Sequence, residues 1–185
     1  MDINLQRANF IFKINDLEEI TYSDLHDVID SLYQGDNSAG IENKRFILLI
    51  NILAKNLGSS YDETKMEKYL RDLIRNSSQY LGITLTTHEI EVIMAYILQY
   101  RYSILTGNSI NNNEVLYNKL LSYSKELQTY NNKSEVMFYV IYKINSGLLE
   151  YYLSNLTVHK ALAYQVSDRM NKYNDYFNQI SVEGF

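Results

Sequence analysis

Three histidines and one arginine are the residues of this chain whose type and setting suggest chemistry. His26 lies in an acidic run with Asp24, Asp27 and Asp30. Its i, i+4 spacing to Asp30 puts both side chains on one helical face, where they can share a metal ion; the same run also reads as a solvated acidic face. His88-Glu89 opens like the zinc-binding helix of a metalloprotease, but the position for the second histidine holds Val92, so the motif fails. His159 has no arginine before it at the spacing that RNA-cleaving helical domains use: the nearest candidate position is Asn155. The seven glycines are scattered as helix stops, which leaves no Gly-rich phosphate loop, and zero cysteines exclude disulfides and thiolate metal sites. No catalytic residue, metal or cofactor is expected.

Arg101 stands among Ile97, Leu98, Ile104 and Leu105 at helical spacing, flanked by Tyr100 and Tyr102. A guanidinium in an apolar stripe must be paired or must reach a wet groove. It therefore meets an internal acid such as Glu126 or Glu150, or it anchors a ligand carboxylate with its bidentate fork. Most of the 18 tyrosines lie in the second half of the chain. They either pack with their hydroxyls at the core edge or line a binding surface. Lys143, Gly147 and Glu150 recur at about one-turn spacing, with Tyr151 beside them, which predicts a solvent-facing stripe for a partner. Arg101, Tyr100, Tyr102, Lys143, Glu150 and Tyr151 are thus the candidate binding residues.

These residues need helices to position them. The chain has no proline, the residue that breaks helix interiors, and its apolar residues recur with helical period. The expected fold is all-α, a helical bundle or stacked α-hairpins of about seven helices. Helices are predicted over 4–14, from Thr21 to Gly35, Ile41–Leu57, 61–80, 88–105, 114–130, 134–154 and 157–180. Residues 46–54 are apolar around most of the circumference, marking the central helix. Thr21 or Ser23, Thr86 with Glu89, Ser134 and Thr157 are the expected caps. Residues 1–85 would form an N-terminal bundle and 86–185 C-terminal hairpins, or the two would form one continuous domain.

A 46% hydrophobic content supports a real core, but no apolar run approaches the ~20 residues that span a bilayer. With no secretory signal at its start, the chain reads as soluble and cytoplasmic. Its richness in Asn, Ile, Tyr and Lys fits a low-GC bacterium, phage or plasmid. The net charge of −5 disfavours nucleic acid. Residues 1–42 hold nine acids against Arg7 and Lys13, a net −7, whereas 43–85 carry a net +3. The two segments either neutralise each other in part, or the acidic face meets a basic partner.

The stretch from His159 through Ala163 and Tyr164 to Met170 and Tyr173 resembles the second helix of a tetratricopeptide repeat, and Gly147 with Tyr151 is similar to small and aromatic positions of the first. The resemblance covers residues 134–180. It implies stacked hairpins that bind proteins or peptides, as in the peptide-sensing half of bacterial quorum regulators. The expected function is a non-enzymatic protein-binding module, acting as a regulator, inhibitor or adaptor. The alternative is a ligand- or peptide-sensing transcriptional regulator with DNA contact from residues 43–80. The expected partner is a protein or peptide, a homodimer is compatible, and neither membrane nor nucleic acid is expected.

Overall fold

A helix that is apolar on every side has to be surrounded, and residues 46–54 are: every side chain from Phe46 to Ala54 is buried, Asn51 included. In the computed structural model this segment belongs to α3 (Ile41–Asn56), which follows α1 (Ile3–Asn15) and α2 (Tyr22–Ser31) and precedes α4 (Glu63–Tyr80) and α5 (Thr87–Thr106). The second half continues with α6 (Glu114–Lys125), a 3-10 turn (Glu126–Thr129), α7 (Glu135–Leu153), α8 (Leu156–Asn171) and α9 (Asn174–Ile180). The structure describes residues 3–15, 20–56, 63–106, 113–129 and 134–181, without the side chains of 3, 4, 7, 14, 15, 63–66 and 101–106. The fold is all-α: the described residues contain no strand. Among them no helix is long and apolar enough to cross a membrane.

The chain divides into two compact units, one up to Met94 and one over Ala95–Ser181. The sequence reading divides the chain at 85/86 or treats it as one continuous domain.

In the first unit α1 packs on α2 and α3, and α3 on α4. Thr21 and Asp24 form a reciprocal capping box at the start of α2. Thr86 and Glu89 make the same pair of bonds at α5, at 2.9 and 3.1 Å. Gly82, at φ +71°, ends α4. There Ile83 N–H reaches the Ser78 carbonyl at 2.8 Å and Gly82 N–H that of Gln79 at 3.1 Å, a Schellman motif. The helix predicted to run to Gly35 ends sooner. Leu32 leaves helical geometry while staying fully buried, and Arg45 of α3 donates Nε–H to its freed carbonyl at 3.0 Å. Tyr33 then takes φ +54°, the left-handed region that is strained for a bulky side chain.

The second unit is built on α7, buried almost continuously from Val136 to Asn145. Contacts of Tyr117 with Tyr152 and of Ser124 with Asn145 run α6 antiparallel to α7. Contacts of Asn145 with Arg169 and of Tyr152 with His159 do the same for α8. The helix predicted over 157–180 is two helices. Tyr173 breaks the pattern at φ −124°, ψ 8°, without proline or glycine. The turn carries Phe177 onto α7, where it stacks on Tyr142 with ring centroids 4.0 Å apart and on Tyr139 at 5.4 Å. Asn174 also joins α9 to Tyr142 through a hydrogen bond. Aromatic burial and this bond offset the few backbone bonds lost at the break. Thr157 is not a cap. Asn155 occupies the N-cap of α8 without a side-chain bond, whereas Ser134 caps α7 as expected.

Candidate functional site

An uncovered apolar surface lies at the α7–α8 corner. Leu149 and Leu153 near the end of α7 face Leu156 in the first turn of α8, around a groove of about 290 Å³. Lys160, Ala163 and Ser167 extend one stripe of α8 along it, with Tyr164 at its side. Leu153 keeps 54% of its surface exposed, Leu156 46% and Tyr164 69%, and Val158 nearby is also exposed. On the adjoining face of the same helix Val166, Arg169 and Met170 are buried, as is Ala163 at the edge of the groove. α8 is thus amphipathic only in part, since apolar residues line both its covered and its open face.

Two devices hold this corner rigid. His159 departs from helical geometry (φ −112°, ψ 20°), offsetting the first turn of α8 from the rest. Its ring sits 5.4 Å from Tyr151 and 5.3 Å from Tyr152. Tyr152 is fully buried and shares a 2.7 Å hydrogen bond with the Tyr117 hydroxyl of α6. Burial, then that bond, raises the Tyr152 phenol far above its ordinary pKa. The second device is a polar seam through the helix interface. Asn145, fully buried, donates Nδ2–H to the Ser124 carbonyl at 3.1 Å and to that of Ile141 at 2.8 Å. Its Oδ1 accepts Nε–H of Arg169 at 3.3 Å, and Arg169 Nη2–H reaches Ser124 Oγ at 3.4 Å. Arg169 is only 7% exposed, and burial lowers the guanidinium pKa from its ordinary value.

Of the sequence-predicted residues, Lys143, Glu150 and Tyr151 lie on α7 and Tyr100 on α5. Tyr151 and Glu150 neighbour the groove residues on α7: Tyr151 is half-buried, its ring 6.0 Å from Tyr117, and Glu150 is exposed. Lys143 and Tyr100 are half-buried elsewhere. The side chains of Arg101 and Tyr102 lie outside the described residues. The stripe of Lys143, Gly147 and Glu150 is not solvent-facing throughout, because a Cβ on Gly147 would lie 2.4 Å from Nε2 of Gln99. That amide is buried and donates to the Ile144 carbonyl at 3.3 Å. Gly147 is therefore a point of close approach between α5 and α7. Sequence reasoning missed Arg169, which is buried, and the groove itself. The usable signal was the spacing of Leu156, Lys160, Ala163 and Ser167, which alone reads as core.

The acidic helix α2 forms a second polar cluster. Asp30 accepts from the Tyr80 hydroxyl at 2.8 Å and pairs with His26 Nδ1 at 3.2 Å. Burial first, then this bond, pushes the Tyr80 phenol up to about 12, so it stays protonated at neutral pH. Asp24 is held at about 2, first by the Lys13 bond at 2.8 Å and then by Thr21. Two of the bases of 43–85 have partners too: Arg71 pairs with Glu91 at 2.7 Å and Arg45 serves the Leu32 carbonyl. His26 and Asp30 meet each other directly, and among the described residues no three acidic, histidine or cysteine side chains are grouped to hold a metal. Comparison with protein-family models, with curated proteins and with solved structures finds no match for this chain.

Proposed function

We propose that this protein is a non-enzymatic binding module that captures a protein or peptide partner on its α7–α8 corner, and so acts as a regulator, inhibitor or adaptor. The observation that carries the reading is the groove: Leu153, Leu156 and Tyr164 remain exposed around about 290 Å³ of concave surface. Contiguous exposed apolar surface with polar surroundings is the mark of an interaction site. Covering one leucine yields roughly 1.5–3 kcal/mol when burial is complete. The buried seam and the tyrosine–histidine cluster hold the corner in one shape, which limits the ordering cost on binding. The resemblance of residues 134–180 to a tetratricopeptide hairpin is in keeping with this use.

The test is affinity capture from extracts of the source organism with the wild-type chain, Leu156→Glu and Asp27→Lys side by side. A partner retained by wild type and Asp27→Lys but lost from a folded Leu156→Glu supports the reading. Identical captured sets on all three place the binding surface elsewhere.

A further inference from the structure

Arg169 is a buried cation with no carboxylate beside it among the described residues. It keeps 7% of its surface exposed, and no described aspartate or glutamate forms an ion pair with it. Its bonds go to two neutral oxygens, Asn145 Oδ1 at 3.3 Å and Ser124 Oγ at 3.4 Å. Both are longer than the ~2.7–2.9 Å of a charge-assisted bond to an anion. Arg71 shows the contrast: it is far more exposed, and it meets the Glu91 carboxylate at 2.7 Å. A guanidinium keeps its proton in proteins, so the charge at Arg169 persists, and buried charge is ordinarily balanced by a partner. Tyr152, the phenol whose charge would act on Arg169, does not supply that balance. Burial and its bond to Tyr117 keep it protonated.

The two bonds define which part of the group remains. Nε–H and Nη2–H are directed at Asn145 and Ser124, so the edge that joins Nε to Nη2 is occupied. The other edge, where N–H groups of Nη1 and Nη2 run parallel, meets no acceptor among the described residues. Such an edge matches the two oxygens of a carboxylate, which it binds in bidentate fashion. A single positive charge is balanced by a monoanion, and a flat pair of donors suits a planar one. With so little of Arg169 exposed, whatever reaches this edge has few atoms.

We infer that Arg169 is an anion site within the α6–α7–α8 interface, which takes a small carboxylate of the formate or acetate class on its Nη1–Nη2 edge. The site is independent of the α7–α8 groove and of the partner proposed for it.

The test is thermal unfolding at neutral pH in sodium formate against sodium chloride of equal ionic strength, for wild type, Arg169→Met and Arg169→Lys. A ligand that binds only the folded chain stabilises it. With formate at about ten times its dissociation constant, the wild-type melting temperature should stand roughly 3–6 °C above that in chloride. Arg169→Met should show no difference between the salts, and Arg169→Lys, which keeps the charge but loses the fork, only a small one. A second readout needs no variant. In nitrogen NMR of isotope-labelled wild type, the Arg169 Nη signals should shift saturably with formate, while those of Arg71 stay in place. No gain over chloride in wild type, an equal gain in Arg169→Met, a full gain in Arg169→Lys, or Arg169 signals that do not respond to formate would each overturn the inference.

Discussion

Asn145→Leu tests whether the polar seam of the second unit acts as one structure. The substitution removes a fully buried amide that makes three hydrogen bonds: two to the carbonyls of Ser124 and Ile141, and one from Arg169. The carbonyl bonds contribute about 1 kcal/mol each, and the bond to the charged guanidinium about 1.5–3. Leucine recovers part of this by apolar burial, but it strands a guanidinium that is only 7% exposed and retains just the Ser124 hydroxyl, at 3.4 Å. A net loss of about 3 kcal/mol is expected. For a chain of this size that corresponds to a melting temperature lower by roughly 6–12 °C. Arg169→Met alone leaves Asn145 Oδ1 without its donor and should cost about 1–2 kcal/mol. Joined with Asn145→Leu it removes the stranded charge and leaves an apolar contact, which can be close to neutral. Ser124 keeps its own bond to the Leu121 carbonyl at 2.8 Å in every variant. The double-mutant cycle, read by urea unfolding of all four proteins, should give a coupling of about 2 kcal/mol or more, well above the ~0.5 kcal/mol seen for independent sites. Additive losses, or an Asn145→Leu protein within about 1 kcal/mol of wild type, would refute the idea that Arg169 depends on Asn145.

Asp24→Asn should cost about 1 kcal/mol at neutral pH, through the weakened cap and the lost pairing with Lys13. Because folding lowers this carboxyl from 3.8 to about 2, its contribution is present in full above pH 3.8 and is lost as the pH falls through 2; denaturation curves of wild type and variant should converge there. Gly147→Ala gains about 1 kcal/mol of helix propensity but drives the Gln99 amide from the Ile144 carbonyl, so calorimetry should find it no more stable than wild type, and Gln99→Ala combined with it should reveal the propensity gain. The Tyr80 phenol, raised to about 12 with Asp30 among the causes, should titrate at lower pH in Asp30→Asn, as followed by NMR of its ring carbon; an unmoved midpoint would mean that burial alone raises it.

Much of the secondary structure was legible because its causes are local in sequence. The capping boxes at Thr21 and Thr86, the cap at Ser134 and the left-handed stop at Gly82 each depend on residues within one turn. The burial of residues 46–54 also followed from sequence, because a helix apolar on all sides has only one kind of environment open to it.

What the tertiary structure decided is where one element meets another. Nothing near Tyr173 breaks a helix; the break exists because Phe177 and Asn174 find Tyr142 and Tyr139 on α7. An arginine among apolar neighbours must be paired or reach a wet groove, and on that ground Arg101 stood out; its side chain lies outside the described residues. Arg169 is placed against Asn145 and Ser124, partners that lie 24 and 45 residues away in the chain. Gly147 read as a small residue on an open stripe, yet its space is filled by Gln99. The α7–α8 groove shows the division most clearly. Periodicity marks Leu153, Leu156 and Ala163 as an apolar surface that gains by being covered. Only the packing reveals that Ala163, Val166 and Met170 are covered by this chain, while Leu153, Leu156 and Tyr164 are left exposed. The hydrophobic effect is non-directional, so a sequence encodes the demand for burial without naming what meets it.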